Sequence, residues 1–371
     1  MTFSQSDITY MQRALSLAER ARFSTDPNPA VGCVIVKGDH IVTEGWTQPA
    51  GDHHAEAYAI ANCSESLEGS DVFVTLEPCS HTGKTPPCAD ALINAGVSRV
   101  VIANTDPNPL VAGQGIAALQ QAGIKVESGL CAEEAAEINR GFFHRIKSGR
   151  PYVVLKMGMS MDAKTAMASG ESQWITSLES RSEVQRLRAQ SAAVITGRQT
   201  VLDDNPSMNV RSESLPEDVR EYRVKQPLRV VLDSKRSLTG EERIFTLDEH
   251  SLWVSGFDST VSTDATETST RSFLIELDDD GHIVLDSVLE HLAELGCNQV
   301  LVESGANLAG AFVARDLVDE IHLFMAPIFL GHEARNLIKL PGMTMLSDKK
   351  NYRFISAEPI GSDVKLVFRK G

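Results

Sequence analysis

Aromatic side chains are scarce: three Trp, five Tyr and 13 Phe make up 6% of 371 residues. Proteins that hold single-stranded nucleic acid stack bases on aromatic rings along a cationic groove. Positive charge is short too, with 35 Lys and Arg against 50 Asp and Glu and a formal net charge of −15. Such a surface repels long polyanions, so no nucleic-acid partner is expected, although a few local cations suffice for one small phosphate. Cysteine is sparse. Cys33, Cys63, Cys79, Cys88, Cys131 and Cys297 show no pattern beyond the Cys79/Cys88 pair, which predicts a reducing cytoplasm rather than a disulfide framework. No apolar run reaches membrane-spanning length, and no basic segment precedes an apolar one at the N-terminus, so neither a membrane partner nor a secretory leader is expected.

What is present is alternation. Met1–Ala21 places Met11, Leu15 and Ala18 on one stripe of an amphipathic helix. Cys33–Val36 and Ile41-Val42 form a hairpin around Lys37-Gly38-Asp39. Strands are predicted at 72–76, 99–103 and 124–126, and helices at 55–61, 88–93, 115–121 and 131–143. Gly149 and Pro151 then punctuate the chain before a new strand at 152–156, so two domains are expected, 1–148 and 149–371, both α/β. In the second, 177–190 reads as a helix with Ser180, Glu183 and Arg186 on an exposed face, and Arg188 as solvated charge at its end. Further strands are predicted at 192–197, 227–234, 299–303 and 321–327, with two short ones between 352 and 369. The charged stretch 211–226 reads as a surface excursion, and 258–272 as a loop.

The chemistry concentrates in His53-His54-Ala55-Glu56, Pro78-Cys79 and Pro87-Cys88. One imidazole and two thiols hold zinc and leave its fourth position open, as a catalytic site requires. His54 stands where a helix begins, so Glu56 can converge on the same site as a proton carrier although it is only two residues away. A His/Cys/Cys zinc with a nearby non-ligand Glu is the equipment of hydrolytic deaminases. Two other readings stay open at this point. A zinc-stabilised scaffold would need a fourth protein ligand, with His53 and His81 as candidates. A nucleic-acid base deaminase would need the basic, aromatic face that the composition lacks. Farther on, the turn Ser304-Gly305-Ala306-Asn307 between a strand and a helix is a phosphate cradle by pattern. Trp174 is either a pocket wall or a core anchor.

The motifs Asn28-Pro29-x-Val31-Gly32, His54-Ala55-Glu56, Pro78-Cys79-Ser80-His81-x-Gly83-Lys84-Thr85-Pro86-Pro87-Cys88 and Asp106-Pro107-Asn108-Pro109 resemble the deaminase domain of the bifunctional riboflavin-biosynthesis deaminase/reductase family. Lys156 with Ser172-Gln173-Trp174, Thr200-x-x-x-Asp204-x-Pro206 with Arg211, Asp233-Ser234, and Glu303-Ser304-Gly305-x-x-Leu308 resemble its reductase domain. The resemblance covers nearly the whole chain. It implies a cytidine-deaminase-like three-layer α/β/α domain followed by a dihydrofolate-reductase-like α/β domain. It implies one zinc per chain on His54, Cys79 and Cys88, Glu56 as proton donor, and substrate contacts from Asn28, Lys84, Asp106 and Asn108. For the second domain it implies NADPH near Gly158, Trp174, Thr200, Asp204, Ser234 and the turn of Gly305, Ala306, Asn307, Leu308, Ala309, Gly310 and Ala311. Substrate is implied near Lys156, Ser172, Arg188, Met208, Arg211 and Glu303.

On this resemblance Arg188 and Arg211 are expected to clamp the substrate phosphate, and Lys156 and Asp204 to orient the sugar carbonyl for hydride attack. The substrate is a small phosphorylated pyrimidine, and a cytoplasmic homo-oligomer joined through reductase domains is expected. The chain departs from the family pattern at Thr47, where relatives often carry His, and at Met208 and Ser304.

Overall fold

In the computed structural model, which describes residues 3–80, 86–108, 111–256 and 271–371, the first helix α1 (Gln5–Ala21) starts at a reciprocal cap. Ser4 Oγ accepts from the Asp7 amide at 3.1 Å, and Asp7 accepts from the Ser4 amide at 2.9 Å. The chain divides into two compact units, Met1–Gly149 with Tyr222–Val224, and Arg150–Glu221 with Lys225–Gly371.

The first unit continues through β1 (Gly32–Lys37), β2 (His40–Trp46), α2 (Ala55–Ala61), β3 (Asp71–Leu76), α3 (Cys88–Asn94), β4 (Arg99–Asn104), α4 (Gln114–Gln121), β5 (Lys125–Ser128), α5 (Ala132–Ile138) and α6 (Arg140–Ser148). Its sheet runs β2-β1-β3-β4-β5, with β1 antiparallel to both neighbours and β3, β4 and β5 parallel. Side chains alternate between its faces. Val34, Phe73 and Val101 pack on Met11, Ala14 and Ala18 of α1 and on α5, while Cys33, Ile35, Val74 and Ile102 pack on α2, α3 and α4. This is the expected three-layer arrangement. Gly45 lets α2 lie directly on β2, because a Cβ there would stand 2.2 Å from the Ala55 carbonyl oxygen. The single helix expected at 131–143 is two. Asn139 interrupts it, and its buried amide is engaged elsewhere: Oδ1 accepts from Ala30 N and Nδ2 donates to Ala30 O, both at 2.8 Å.

The second unit contains β6 (Tyr152–Ser160), β7 (Lys164–Ala166), α7 (Leu178–Ala189), β8 (Ala193–Gly197), α8 (Arg198–Asp204), β9 (Leu228–Leu232), α9 (Arg243–Thr246), β10 (Ser251–Gly256), β11 (Arg271–Ile275), α10 (Leu285–Glu294), β12 (Gln299–Glu303), α11 (Ala306–Ala314), β13 (Glu320–Ala326), β14 (Arg335–Asn336), β15 (Tyr352–Ile360) and β16 (Asp363–Lys370). Nine strands form one sheet in the order β11-β10-β9-β8-β12-β6-β13-β16-β15. The strands from β11 to β13 are parallel, and the β15/β16 hairpin extends them antiparallel. Helices α10 and α11 cover one face, and α7, α8 and α9 the other.

Strand β6 runs four residues beyond the predicted end, because β13 pairs with it through Ala326↔Ser160. Ser180 is buried rather than exposed: its hydroxyl donates to Asp363 at 2.6 Å, tying α7 to the sheet. The stretch 211–226 is anchored by buried Leu215 and Val219, and the loop expected at 258–272 lies outside the described residues except for its last two, which enter β11.

Candidate active sites

In the first unit, three chain segments converge. His54 is the N-cap of α2, Cys79 lies just beyond β3, and Cys88 is the first residue of α3. The His54 Nδ1 lies 3.5 Å from Cys79 Sγ and 3.4 Å from Cys88 Sγ, and the three ligand atoms fall within 4.8 Å of one another. Cys79 Sγ also accepts from the Cys88 amide at 3.3 Å. The Cys88 thiol, the His54 ring and that amide lower the Cys79 pKa to about 4, while donation to Cys79 and burial push Cys88 up. A neutral imidazole and two thiolates are the donor set zinc requires, and these three side chains can supply it. Glu56 is 3% exposed, and burial followed by the negative Cys79 sulfur raises its carboxyl to about 7. Among the described residues no fourth metal-binding side chain joins the cluster. His53 is exposed, and His81 lies outside the described residues, as does Lys84.

Asp106 and Asn108 occupy the turn after β4, where Asp106 Oδ1 accepts from the Asn108 amide at 2.8 Å. Asn28 is half-buried, in a turn closed by its amide on Thr25 O. Thr47 is buried, its hydroxyl accepting from Val31 N at 3.0 Å, so it latches the end of the β1/β2 hairpin. The sequence reading missed Glu77. Its buried carboxylate accepts four backbone amides beyond β4: Asp106 at 3.2 Å and Gly113 at 3.0 Å in the loop, and Gly115 at 3.0 Å and Ile116 at 3.3 Å in the first turn of α4. A carboxylate at a strand end, two residues before Cys79, was the available signal.

In the second unit the register of β6 against β12 sets Lys156 beside Glu303. Arg188 from α7 closes on the same carboxylate with both arms of its fork, Nε to Oε1 at 2.6 Å and Nη2 to Oε2 at 3.1 Å, and Lys156 Nζ stands 3.5 Å from Oε2. Burial opposes the charge on Glu303, but the Arg188 and Lys156 cations outweigh it and hold the carboxyl at about 2. Arg188 also donates to Asn209 O at 3.0 Å and touches Met208 Sδ at 3.6 Å. The forked contact expected on a phosphate is thus made with Glu303. Arg211 is exposed and held through its backbone: its amide donates to Gln185 Oε1 at 2.9 Å, and its carbonyl accepts from Ser214 N at 3.0 Å. Asp204 ends α8 in an exposed position, and partial burial with the neighbouring Asp203 raises its pKa. Trp174 is 68% exposed with the Arg181 guanidinium 4.4 Å from its ring centre, so it is no core anchor. Ser172 precedes it, half-buried.

The C-terminal edge of the parallel strands carries Gly158 on β6, Thr200 on α8, Ser234 after β9 and the turn into α11. Gly305 caps α11 with nothing within 4 Å of where a Cβ would stand. The Ser304 hydroxyl is buried without a hydrogen-bond partner among the described residues. An open glycine, free helix amides and an unmatched hydroxyl fit a dinucleotide phosphate. Gly305, Ala306, Asn307 and Leu308 stand at the helix start, where backbone amides have no intrahelical partner. Ala309 donates to Gly305 O at 3.1 Å and is buried in the core, and a Cβ on Gly310 would stand 1.8 Å from the Lys339 carbonyl oxygen. Ala309 and Gly310 also pack in the core at the start of α11, and Ala311 packs on the same cluster.

Two family models match the chain: the cytidine and deoxycytidylate deaminase zinc-binding region over residues 4–104, and the RibD C-terminal domain over residues 151–366. The riboflavin biosynthesis protein RibD of Escherichia coli (strain K12) is 46% identical over 364 residues, covering 97% of this chain and 98% of its own. The chain belongs to the RibD family. The RibD of Haemophilus influenzae is 42% identical over 373 residues, covering 99% of this chain and 98% of its own. A solved structure of Acinetobacter baumannii RibD superposes with a TM-score of 0.89 at 38% identity over 99% of both chains. A diaminohydroxyphosphoribosylaminopyrimidine deaminase/5-amino-6-(5-phosphoribosylamino)uracil reductase from Thermotoga maritima superposes at 0.85 with 32% identity over 99% of both. The RibD likeness thus spans both units, and the zinc-binding match contains His54, Cys79 and Cys88.

Proposed function

We propose that this RibD-family chain is a bifunctional riboflavin-pathway enzyme. Its first unit hydrolytically deaminates 2,5-diamino-6-(5-phosphoribosylamino)pyrimidin-4-one, and its second uses NADPH to reduce the ribosyl side chain to ribityl. The observation that carries this reading is the convergence of His54, Cys79 and Cys88 around Glu56 in a chain whose two units follow the family's order.

His54 and the two cysteines would hold zinc, which when bound would supply the Lewis acidity for hydrolytic attack on the amine-bearing ring carbon. Glu56 takes a proton from the attacking water at its carboxylate and returns one to the departing amine. A buried carboxyl beside the metal ligands can do both. Asn28, Lys84, Asp106 and Asn108 position the substrate, and Glu77 holds the loop that bears Asp106 and Asn108.

In the second unit NADPH supplies the hydride. The turn from Gly305 to Ala311 would hold its phosphates, and Gly158, Trp174, Thr200, Asp204 and Ser234 would line its path. Lys156 and Asp204 orient the opened sugar, and Ser172, Met208 and Arg211 flank the substrate. Glu303, gripped by Arg188, holds the Lys156 ammonium, and both Arg188 and Glu303 border the substrate.

The protein works in the cytoplasm as a homo-oligomer joined through its second units. No described helix is long and apolar enough to cross a membrane. The edge strand β15 exposes Phe354 and Ile355, and Phe329, Met345 and Leu346 of the same unit are also exposed. Sedimentation analysis tests the assembly.

Mass spectrometry of the phosphoribosylated diaminopyrimidinone, incubated with purified protein, tests the whole reading. Deaminated product without NADPH and reduced product with it are expected. Zinc-loaded protein that leaves the substrate intact would refute it.

A further inference from the structure

Strands β12, β6 and β13 lie side by side in the second unit, and their register sets Glu303, Lys156 and His322 in one row across the sheet. Paired residues of parallel strands project from the same face. All three side chains therefore rise on the side that α7 covers, with Val154, Leu301 and Phe324. Glu303 and Lys156 belong to the reductase reading, but neither half-reaction uses His322. It is 6% exposed, and its Nε2 meets Glu320 Oε1 at 2.6 Å. Glu320 is 1% exposed and stands two residues earlier on the same face, opposite Val154 of β6 and Arg369 of β16. Its second oxygen, Oε2, accepts from Arg369 Nε at 2.6 Å and from the Tyr152 hydroxyl at 3.3 Å.

Lys156 thus has a buried carboxylate on each side. Glu303 is its register partner on β12. Glu320 lies on the diagonal across β13, about 8 Å away between Cα atoms by strand spacing and rise, a gap that a lysine and a glutamate side chain bridge together. The Lys156 Nζ goes to Glu303, 3.5 Å from Oε2. The other charges on this face are already matched. Arg188 of α7 grips Glu303, and Glu183 of α7 accepts from Lys365 of β16 at 2.7 Å and from Arg186 at 2.9 Å. Arg369 takes one oxygen of Glu320, and His322 takes the other. Resting on the reductase reading above, we infer that His322 is a positioning residue of the reductase: by occupying Glu320 Oε1 it removes the competing carboxylate and keeps the Lys156 ammonium on Glu303. The Glu320–His322 pair does no chemistry of its own. It fixes which of two buried anions the lysine follows, and a misplacement of about 1 Å in such a group is enough to cost about a hundredfold in rate.

The test is steady-state reduction of supplied deaminated substrate by the full-length protein carrying His322→Leu. Leucine fills the space of the ring and frees Glu320 Oε1. The expected result is a kcat lower by about ten- to a hundredfold, an NADPH KM within about twofold of wild type, and Lys156 Nζ on Glu320 in a crystal structure of the variant. Adding Glu320→Gln removes the competing charge, so the double variant is expected to recover kcat to within about threefold of wild type. A packing role alone predicts no such recovery, because two buried changes disturb the sheet more than one. An unchanged kcat in His322→Leu, an Nζ still on Glu303, or a double variant as slow as the single one would overturn the inference. His322→Ala gives the same readings should the leucine variant not fold. Wild-type protein that reduces no substrate with NADPH would remove the reductase reading, and this inference with it.

Discussion

Replacing Glu77 by Gln tests whether one buried carboxylate organises the deaminase substrate loop. Each of its oxygens accepts two backbone amides, Oε2 from Asp106 and Gly113 and Oε1 from Gly115 and Ile116. Gln keeps one oxygen and turns an NH2 toward the other two donors. Two charge-assisted contacts are lost, at roughly 1.5 kcal/mol each or about 3 kcal/mol together. The penalty falls on the loop that carries Asp106 and Asn108, while the zinc ligands lie on other segments. If the whole cost appears in substrate binding, the deaminase KM rises by up to about a hundredfold, with zinc content unchanged. Steady-state kinetics and elemental analysis measure both. A Tm lower by about 6–12 °C with an unaltered KM would refute the reasoning, because it would make Glu77 a prop for the whole unit. Unchanged kinetics and stability would refute it as well.

Glu56→Gln is expected to retain one zinc per chain and lose deamination by at least about a hundredfold, while reduction of supplied deaminated substrate continues; loss of the metal would make Glu56 a structural group. Arg188→Gln leaves the Glu303 carboxylate buried with only Lys156 beside it and is expected to cost about 3–5 kcal/mol. Denaturant titration at neutral pH should show this, and the deficit should shrink in mild acid, where the unpaired carboxyl can take a proton. Equal stability of the two proteins would contradict the ion-pair account. Asp7, held at about 2 by the Arg99 guanidinium, has a folded pKa below its unfolded one. Its contribution of about 2 kcal/mol is therefore complete above about pH 4 and disappears as the pH falls toward 2. The stability gap between wild type and Asp7→Asn should close over that window, and a gap independent of pH would dismiss the pair.

The zinc motif was legible in sequence because ligand chemistry admits few residue types, and because Pro78 and Pro87 mark breaks where His54, Cys79 and Cys88 sit at element ends. The alternation of strands and helices was legible for the same local reason: side-chain periodicity reports the element directly. Boundaries set by distant partners were not. Nothing near Asn139 says that its amide serves Ala30, 109 residues away, and so divides a helix. Ser180 follows a surface pattern, yet it is buried because Asp363, 183 residues later, accepts its hydroxyl.

By itself, the sequence determined the layered α/β class, the His54, Cys79 and Cys88 donor set, and a glycine-opened turn between strand and helix. Only the tertiary structure decided how charge is spent. Strand order and register bring Lys156 to Glu303 across 147 residues and turn the Arg188 fork inward. They also collect four backbone amides of the β4–α4 connection and the first turn of α4 on Glu77. Periodicity is a property of neighbours along the chain, whereas the partner of a buried charge depends on which strands lie side by side.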